Sequence, residues 1–228
     1  MTMDSPLSQV GEELWSATRP MRFWGIETGT RMTVVRLRDG GLFVHSPVGL
    51  DAGVRAAVDA LGPVRAIVAP SKFHHVFVPA WRAAYPDALL GCCPGLVDKR
   101  PDVKWQRVLG DQPDEVWGED LEQVHFGART LEDEVVFFHP RSRTLVCSDM
   151  VFNLRRHPSR LTRAAARLLG NREPGATTLE HVMIRKRRAA RAQLDRMLAW
   201  SFDRILLAHG APVLEDGHEV LRRAYAWL

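Results

Sequence analysis

Residues 64–77 read VRAIVAPSKFHHVF, and the fold turns on how they divide. Val64–Ala69 is an apolar run of strand length, set off by Gly62-Pro63 before it and Pro70 after it. Such a run reads as a buried strand. The residues that follow form an irregular loop carrying His74 and His75. Two later segments share this arrangement. Thr144-Leu-Val-Cys-Ser-Asp149 and Arg204-Ile-Leu-Leu-Ala-His209-Gly210 are each a short apolar strand ending in a side chain that can ligate a metal. A sheet gathers the loops at its strand ends. His74, His75, Asp149 and His209 are therefore candidate ligands of one metal ion, because imidazole and carboxylate donors suit first-row divalent metals. Adjacent histidines diverge on a helix or a strand, so both reach one ion only if the loop turns tightly.

Outward from this stretch, strands and helices interleave. Thr33 to Arg38 and Leu42 to His45 flank Asp39-Gly40-Gly41 and read as a hairpin. Val54 to Leu61 reads as a short helix ended by Gly62-Pro63, and a second helix runs from about Phe77 to Tyr85, stopped by Pro86. Leu89-Leu90 starts a strand, and Gly91 to Asp102 is loop-like. Val103 to Val108, Leu121 to Phe126, Glu134 to His139 and Arg143 to Ser148 read as strands. Helices are expected over Arg160 to Leu169, Leu179 to Trp200 and Glu219 to Leu228, with a strand at Arg204 to Ala208. The sum is a layered α/β protein with helices outside its sheets, expected to form one domain over residues 1–228 with a basic helical segment at 155–200.

Composition is that of a soluble globular chain, 46% hydrophobic and 25% charged. No apolar run approaches the roughly 20 residues that span a bilayer, and the first residues lack the pattern of a secretory signal. A cytoplasmic location is expected. Three cysteines, two of them the neighbours Cys92 and Cys93, argue against a disulfide framework, and Cys147 reads as a small core residue. The net charge of +4 is unevenly placed. Between Arg155 and Arg196 the basic residues are opposed only by Glu173, Glu180 and Asp195, which leaves the rest of the chain net acidic. On Leu161 to Leu169 the apolar residues fall at amphipathic spacing opposite Arg163 and Arg167, so the segment is expected to pack on the body or on a second subunit. No base-reading motif accompanies the charge, so nucleic acid is not the expected partner. Recruitment of an anionic substrate is the next reading.

The order of hairpin, strand with a histidine loop, strand ending Ser148-Asp149 and strand ending Ala208-His209-Gly210 resembles the metallo-β-lactamase family. The family's first motif, HxHxDH, falls without gaps on Pro70, Ser71, Lys72, Phe73, His74 and His75, and only the last histidine matches. Ser148-Asp149 resembles the family's GD motif, whose aspartate bridges two metals, and His209-Gly210 with Pro212 resembles its final histidine motif. The middle motif, GHTxG, has no counterpart; Gly127 to Glu134 occupies its place. The resemblance implies an αββα four-layer sandwich of two mixed β-sheets.

It also implies a site altered from two metals to one. The first metal would lose its three histidines, whereas the second would keep His75, His209 and Asp149, with His74 in place of an aspartate. One divalent transition metal is expected, zinc first and iron or manganese as alternatives. Four protein ligands would make the closed geometry of structural zinc, so the resemblance leaves two functions open. One is a metal-dependent hydrolase of a small ester, amide, thioester or phosphoester. In it Asp149 and Lys72 are catalytic, Lys72 lying beside Asp149 and steadying an anionic substrate or oxyanion. The other is a non-catalytic protein with structural metal or none, acting through binding or self-association as a homodimer.

Other residues read more plainly. His45 is assigned a structural or supporting role, and His139, beside Pro140, a surface one. Glu132, Asp133 and Glu134 form what is ordinarily a solvated acidic turn, yet they stand where the middle histidine is missing, so one of them could reach the site. Of the tryptophans, Trp24 and Trp81 are placed near the site.

Overall fold

The computed structural model describes residues 6–23, 25–128 and 133–228. Its first elements are a hairpin that the sequence pattern did not reveal: β1 (Ser8–Gly11) pairs antiparallel with β2 (Leu14–Arg19). A smaller hairpin, β3 (Arg22–Phe23) and β4 (Ile26–Glu27), follows. Then come β5 (Thr30–Arg36) and β6 (Leu42–His45), the hairpin expected around Asp39-Gly40-Gly41, with Thr33 opposite His45 and Arg36 opposite Leu42. From β6 onward pairing becomes parallel. Helix α1 (Ala52–Asp59) leads to β7 (Val64–Ala69), α2 (Val78–Ala84) to β8 (Leu89–Cys92), and α3 (Leu96–Lys99) to β9 (Arg107–Val108). Asp51 caps α1, its carboxylate accepting the Val54 N–H at 2.8 Å. These strands make a seven-stranded mixed sheet in the order β1-β2-β5-β6-β7-β8-β9.

The second sheet begins with the antiparallel run β10 (Glu122–Phe126), β11 (Glu134–His139) and β12 (Thr144–Val146). A short strand β13 (Phe152–Asn153) and three helices follow, α4 (Arg160–Leu168), α5 (Glu180–Met183) and α6 (Arg187–Leu198). Strand β14 (Arg204–Leu206) returns parallel to β12, β15 (His209–Gly210) pairs with β13, and α7 (Gly217–Ala224) follows. The order β10-β11-β12-β14 is again mixed.

Strand β11 shows how the layers form. Alternate side chains leave opposite faces of a strand. Val135 and Phe137 join the core lined by the first sheet, where Phe137 meets Phe43 of β6 at 5.1 Å between ring centres. Val136 and Phe138 face the other way, into a second core with Ala190, Leu194 and Met197 of α6 and Leu221 of α7. Val54 and Val58 of α1 and Val78 and Trp81 of α2 pack against the first sheet. The layers therefore run helix, sheet, sheet, helix, the αββα sandwich that the family resemblance implied.

Several expectations need correction. The segment Leu179 to Trp200 is two helices rather than one, because Ile184 leaves α5 in an extended conformation and buries its side chain. On α4 the buried residues are Thr162 and Ala166, while Leu161 and Leu168 are 64% and 86% exposed. Of the two surfaces expected to cover this leucine face, the body or a second subunit, the body does not, and the face points outward. The hydroxyl of Thr162 fixes α4 instead, donating to the Glu27 carbonyl at 2.7 Å. His139 is buried rather than on the surface, its Nδ1 hydrogen-bonded to Ser142 Oγ at 2.8 Å. Cys92, Cys93 and Cys147 are all buried. Among the described residues no helix is long and apolar enough to cross a membrane.

Candidate metal centre

The register of the second sheet brings two of the candidate ligands together. β12 and β14 run parallel with Val146 paired to Leu206, and Asp149 and His209 each lie three residues beyond that pair. The third ligand comes from the first sheet. Pro70 ends β7, and a succession of turns follows in which the His74 N–H reaches the Ser71 carbonyl at 3.3 Å and the Val78 N–H reaches the His75 carbonyl at 3.1 Å. This turn directs His74 inward, where it is buried.

Both imidazoles aim Nε2 at the same oxygen. His74 Nε2 and His209 Nε2 each lie 3.3 Å from Asp149 Oδ1. Their other nitrogens are anchored: His74 Nδ1 is hydrogen-bonded to Ser46 Oγ at 2.6 Å, and His209 Nδ1 to the Gly29 carbonyl at 2.8 Å. The ring of Phe152 stacks on His209, 5.5 Å between centres and 8° from parallel. The second Asp149 oxygen, Oδ2, accepts the Ser71 hydroxyl at 2.7 Å. Donor atoms of His74, Asp149 and His209 all lie within 4.8 Å of one another. Nδ1 held by an outer partner while Nε2 faces inward is the usual posture of a metal-bound histidine. With a carboxylate as third donor, the set fits a divalent transition metal.

Beneath the carboxylate lies Glu134, fully buried. Its side chain accepts the backbone N–H of Ser148 at 2.5 Å and that of Asp149 at 3.1 Å. The acidic turn therefore does deliver one residue to the site, though from below and to the backbone. Asp133 points elsewhere, toward Lys72 and His125, and Glu132 lies outside the described residues.

Two sequence-derived assignments are not brought to this cluster. His75 follows His74 on a helix-like turn, where successive side chains diverge by about 100°. Its Nδ1 accepts a hydrogen bond from Arg100 Nη1 at 2.8 Å instead. Burial, with the charges of Lys99 and Arg100, pushes its pKa down to about 4. Lys72 is not beside Asp149 but ion-paired with Asp133 at 2.7 Å, and the residue that does reach Asp149 is its neighbour Ser71. The gap-free motif placement had assigned Ser71 no role. Trp81 is a core residue whose indole N–H donates to the Val48 carbonyl at 2.7 Å, and Trp24 lies outside the described residues. Ser46 was also missed, since a serine before a proline carries no signal of its own.

Charge in the cluster is settled mutually. Burial works to raise the Asp149 carboxyl, but His74 and His209 outweigh it and hold the group well below the usual carboxylate range. Burial likewise works to lower His209, and its bond and charge contact with Asp149 outweigh that and raise it. His45, one residue before Ser46, is buried, and its Nε2 has no hydrogen-bond partner among the described residues. Burial first, then the charge of His74, pushes it down to about 3.

Comparison with known proteins places this fold. Residues 11–97 match a family described as a domain of unknown function, DUF4336. No curated protein matches the chain. Among solved structures, the DIM-1 metallo-β-lactamase aligns over 97% of this chain and 96% of its own, at 16% identity and a TM-score of 0.67. A metallo-β-lactamase from Erythrobacter litoralis aligns over 100% and 99%, at 15% identity and a TM-score of 0.66. FIM-1 from Pseudomonas aeruginosa, in a mono-zinc form, aligns over 98% and 93%, at 14% identity and a TM-score of 0.61. The chain has the metallo-β-lactamase fold.

Proposed function

We propose that the protein is a hydrolase that works with one divalent transition metal, zinc foremost, held by His74, Asp149 and His209. Its substrate would be a small ester, amide, thioester or phosphoester. The observation that carries this reading is the convergence of both Nε2 atoms on Asp149 Oδ1, each at 3.3 Å, with both Nδ1 atoms anchored from behind. Iron or manganese would suit the same donors. A bound ion of this kind polarises a scissile carbonyl or phosphoryl group and lowers the pKa of water.

The chain's own residues set the conditions for that chemistry. Ser46 and Gly29 fix the two ring orientations, while Ser71 and Glu134 fix the carboxylate and the backbone beneath it. With His75 turned to Arg100, three protein donors remain among the described residues rather than four. Three donors and an open position are the pattern of catalytic rather than structural sites. Lys72, neutralised by Asp133, is a poor stabiliser of developing negative charge.

Elemental analysis of the purified protein, followed by an esterase and phosphodiesterase screen, tests the reading. One equivalent of transition metal, lost with His209→Ala together with hydrolysis, is the expected result. Absence of any stoichiometric metal, with His209→Ala changing nothing, overturns it. A binding-only alternative draws support from Pro70 and Lys72, which stand where two first-metal histidines fall in the family motif. Stoichiometric metal without turnover of any substrate class would favour that alternative.

A further inference from the structure

The surface that α4 turns away from the body is apolar along its middle and basic beside it. At about 100° per residue, Leu161, Ala164 and Leu168 share one stripe, opposite the buried pair Thr162 and Ala166. Arg160 and Arg167 are exposed along one edge of that stripe. The following segment extends the apolar surface. The Thr178 N–H and hydroxyl both donate to the Leu169 carbonyl, at 2.9 and 3.1 Å, which sets Leu179 beside the end of α4. Leu179 is 45% exposed, and Val182 on α5 is 71% exposed. Single exposed apolar residues are ordinary on a protein surface. Here Leu161, Leu168, Leu179 and Val182 fall on two adjoining elements.

The charge of this segment is unopposed. Arg160, Arg167, Arg172, Arg185 and Lys186 are exposed, and none has an ion pair among the described residues. The acidic residues of the segment are all engaged. Glu173 pairs with Arg155 at 3.1 Å, Asp195 pairs with Arg191 at 2.9 Å, and Glu180 is buried. Glu27, whose backbone holds α4 through Thr162, has its carboxylate on the Met21 N–H at 2.8 Å and 3.6 Å from Arg22. This combination selects among occupants. A second copy docked through the same face would set Arg160 and Arg167 against their own duplicates, with no free carboxylate in the segment to receive them. A nucleic acid backbone would take the arginines and leave the leucines in water. An anionic membrane surface takes both: the leucines enter the acyl boundary, and the guanidinium groups stay among the headgroups.

We propose that α4, with the adjoining Leu179 and Val182, is a docking face for an anionic lipid membrane. On it α4 lies along the surface, with Leu161 and Leu168 inserted and Arg160 and Arg167 at the lipid phosphates. None of His74, Asp149 and His209 belongs to this face, so the proposal does not rest on the hydrolase reading. It gives the outward leucines an occupant and the uneven basic charge a role.

Co-sedimentation of the full chain with vesicles tests it, using equimolar phosphatidylglycerol and phosphatidylcholine in one set and phosphatidylcholine alone in the other. Wild type is expected to bind the anionic vesicles at least about tenfold more tightly than the neutral ones. Leu161→Gln combined with Leu168→Gln keeps every charge and alters only exposed side chains, so the variant should fold as wild type does. Its binding should weaken by at least about tenfold, the scale of one leucine withdrawn from an apolar phase. Arg160→Gln combined with Arg167→Gln should also weaken binding, on the order of tenfold. Val108→Gln, 54% exposed on β9, is the control and should bind as wild type does. No binding of wild type to the anionic vesicles, or equal binding to both kinds, overturns the docking face. So does undiminished binding in either double variant, or the same loss in Val108→Gln; binding that ignores the leucines is the purely electrostatic behaviour a nucleic acid would also elicit. A wild-type dimer in sedimentation velocity that the leucine variant dissociates assigns the face to a second copy and overturns the proposal as well.

Discussion

Glu134 accepts the backbone N–H of Asp149 at 3.1 Å, while its other carboxylate oxygen accepts that of Ser148 at 2.5 Å. Both amides lie beyond the last ladder pair of β12, so β14 provides no partner for them in register. The buried carboxylate replaces a missing strand and sets where the Asp149 side chain emerges. In the family motif this part of the chain carries a metal histidine; here it carries a support for the candidate ligand Asp149.

Glu134→Gln tests that support. The amide keeps the size of the side chain but presents one N–H₂ to a backbone N–H, so one of the two buried amides loses its acceptor. An unmet buried donor costs about 1–3 kcal/mol, and loss of a ligand's outer support costs about 10–100-fold in metal affinity. Competition with a chromophoric chelator should show the affinity loss in a variant that still unfolds cooperatively. Zinc binding as tight as wild type would remove the positioning role.

Legibility in the sequence followed the strength of the local pattern. Val64–Ala69 and Glu134–His139 were read to the residue because continuous apolar runs between turn signals have one reasonable interpretation. The hairpin around Asp39-Gly40-Gly41 was legible from its turn. The first hairpin was not, since Ser8–Gly11 and Leu14–Arg19 lack alternation and pair through a bulge. Within the site, Asp149 and His209 were visible as strand ends. His75, which the motif count set beside them, is turned toward Arg100, because a motif counts positions whereas a turn rotates side chains. Ser46, Ser71 and Glu134 act through contacts between residues 28, 78 and 15 positions apart, which no local pattern encodes.

Alanine at each histidine separates the turn from the motif. His74→Ala and His209→Ala each remove one of three converging donors and should abolish stoichiometric metal in the purified protein. His75→Ala removes a ring that meets Arg100 and should leave metal content at the wild-type level. Loss of metal in His75→Ala would restore it to the ligand set.

Gly210 secures the other end of the centre. It has φ +102°, and a Cβ built there would stand 2.1 Å from the Asn153 carbonyl oxygen of the paired strand. The obstructing atoms are backbone of Asn153 and Leu154, which cannot swing aside as a flexible side chain could, and φ in this range is strained for any side chain. Gly210→Ala should therefore part β13 from β15, displace His209 and the Gly210 carbonyl that holds Arg31, and cost on the order of 1–3 kcal/mol. A lower melting temperature together with weaker metal binding is expected. An unchanged metal affinity would show that His209 is positioned by Gly29 and Phe152 alone.

Acid should destabilise the fold through a histidine outside the candidate metal centre. Buried His139 is pushed down to about 4, chiefly by burial, so it is neutral in the native state until well below neutral pH. In the unfolded chain the same ring takes up its proton near 6.5. Between those values the unfolded state binds more protons, so stability rises with pH across that window. His139's contribution is fully present above about 6.5 and is lost as pH falls toward 4, on the order of 3 kcal/mol at about 1.4 kcal/mol per unit. Urea midpoints measured from pH 7 to pH 4.5 should fall less steeply in His139→Gln than in wild type, because the variant has no proton to gain there. The comparison is of slopes, so a uniform loss of stability in the variant does not disturb it. Parallel slopes would mean that the His139 ring is protonated within the fold, against its burial beside Ser142.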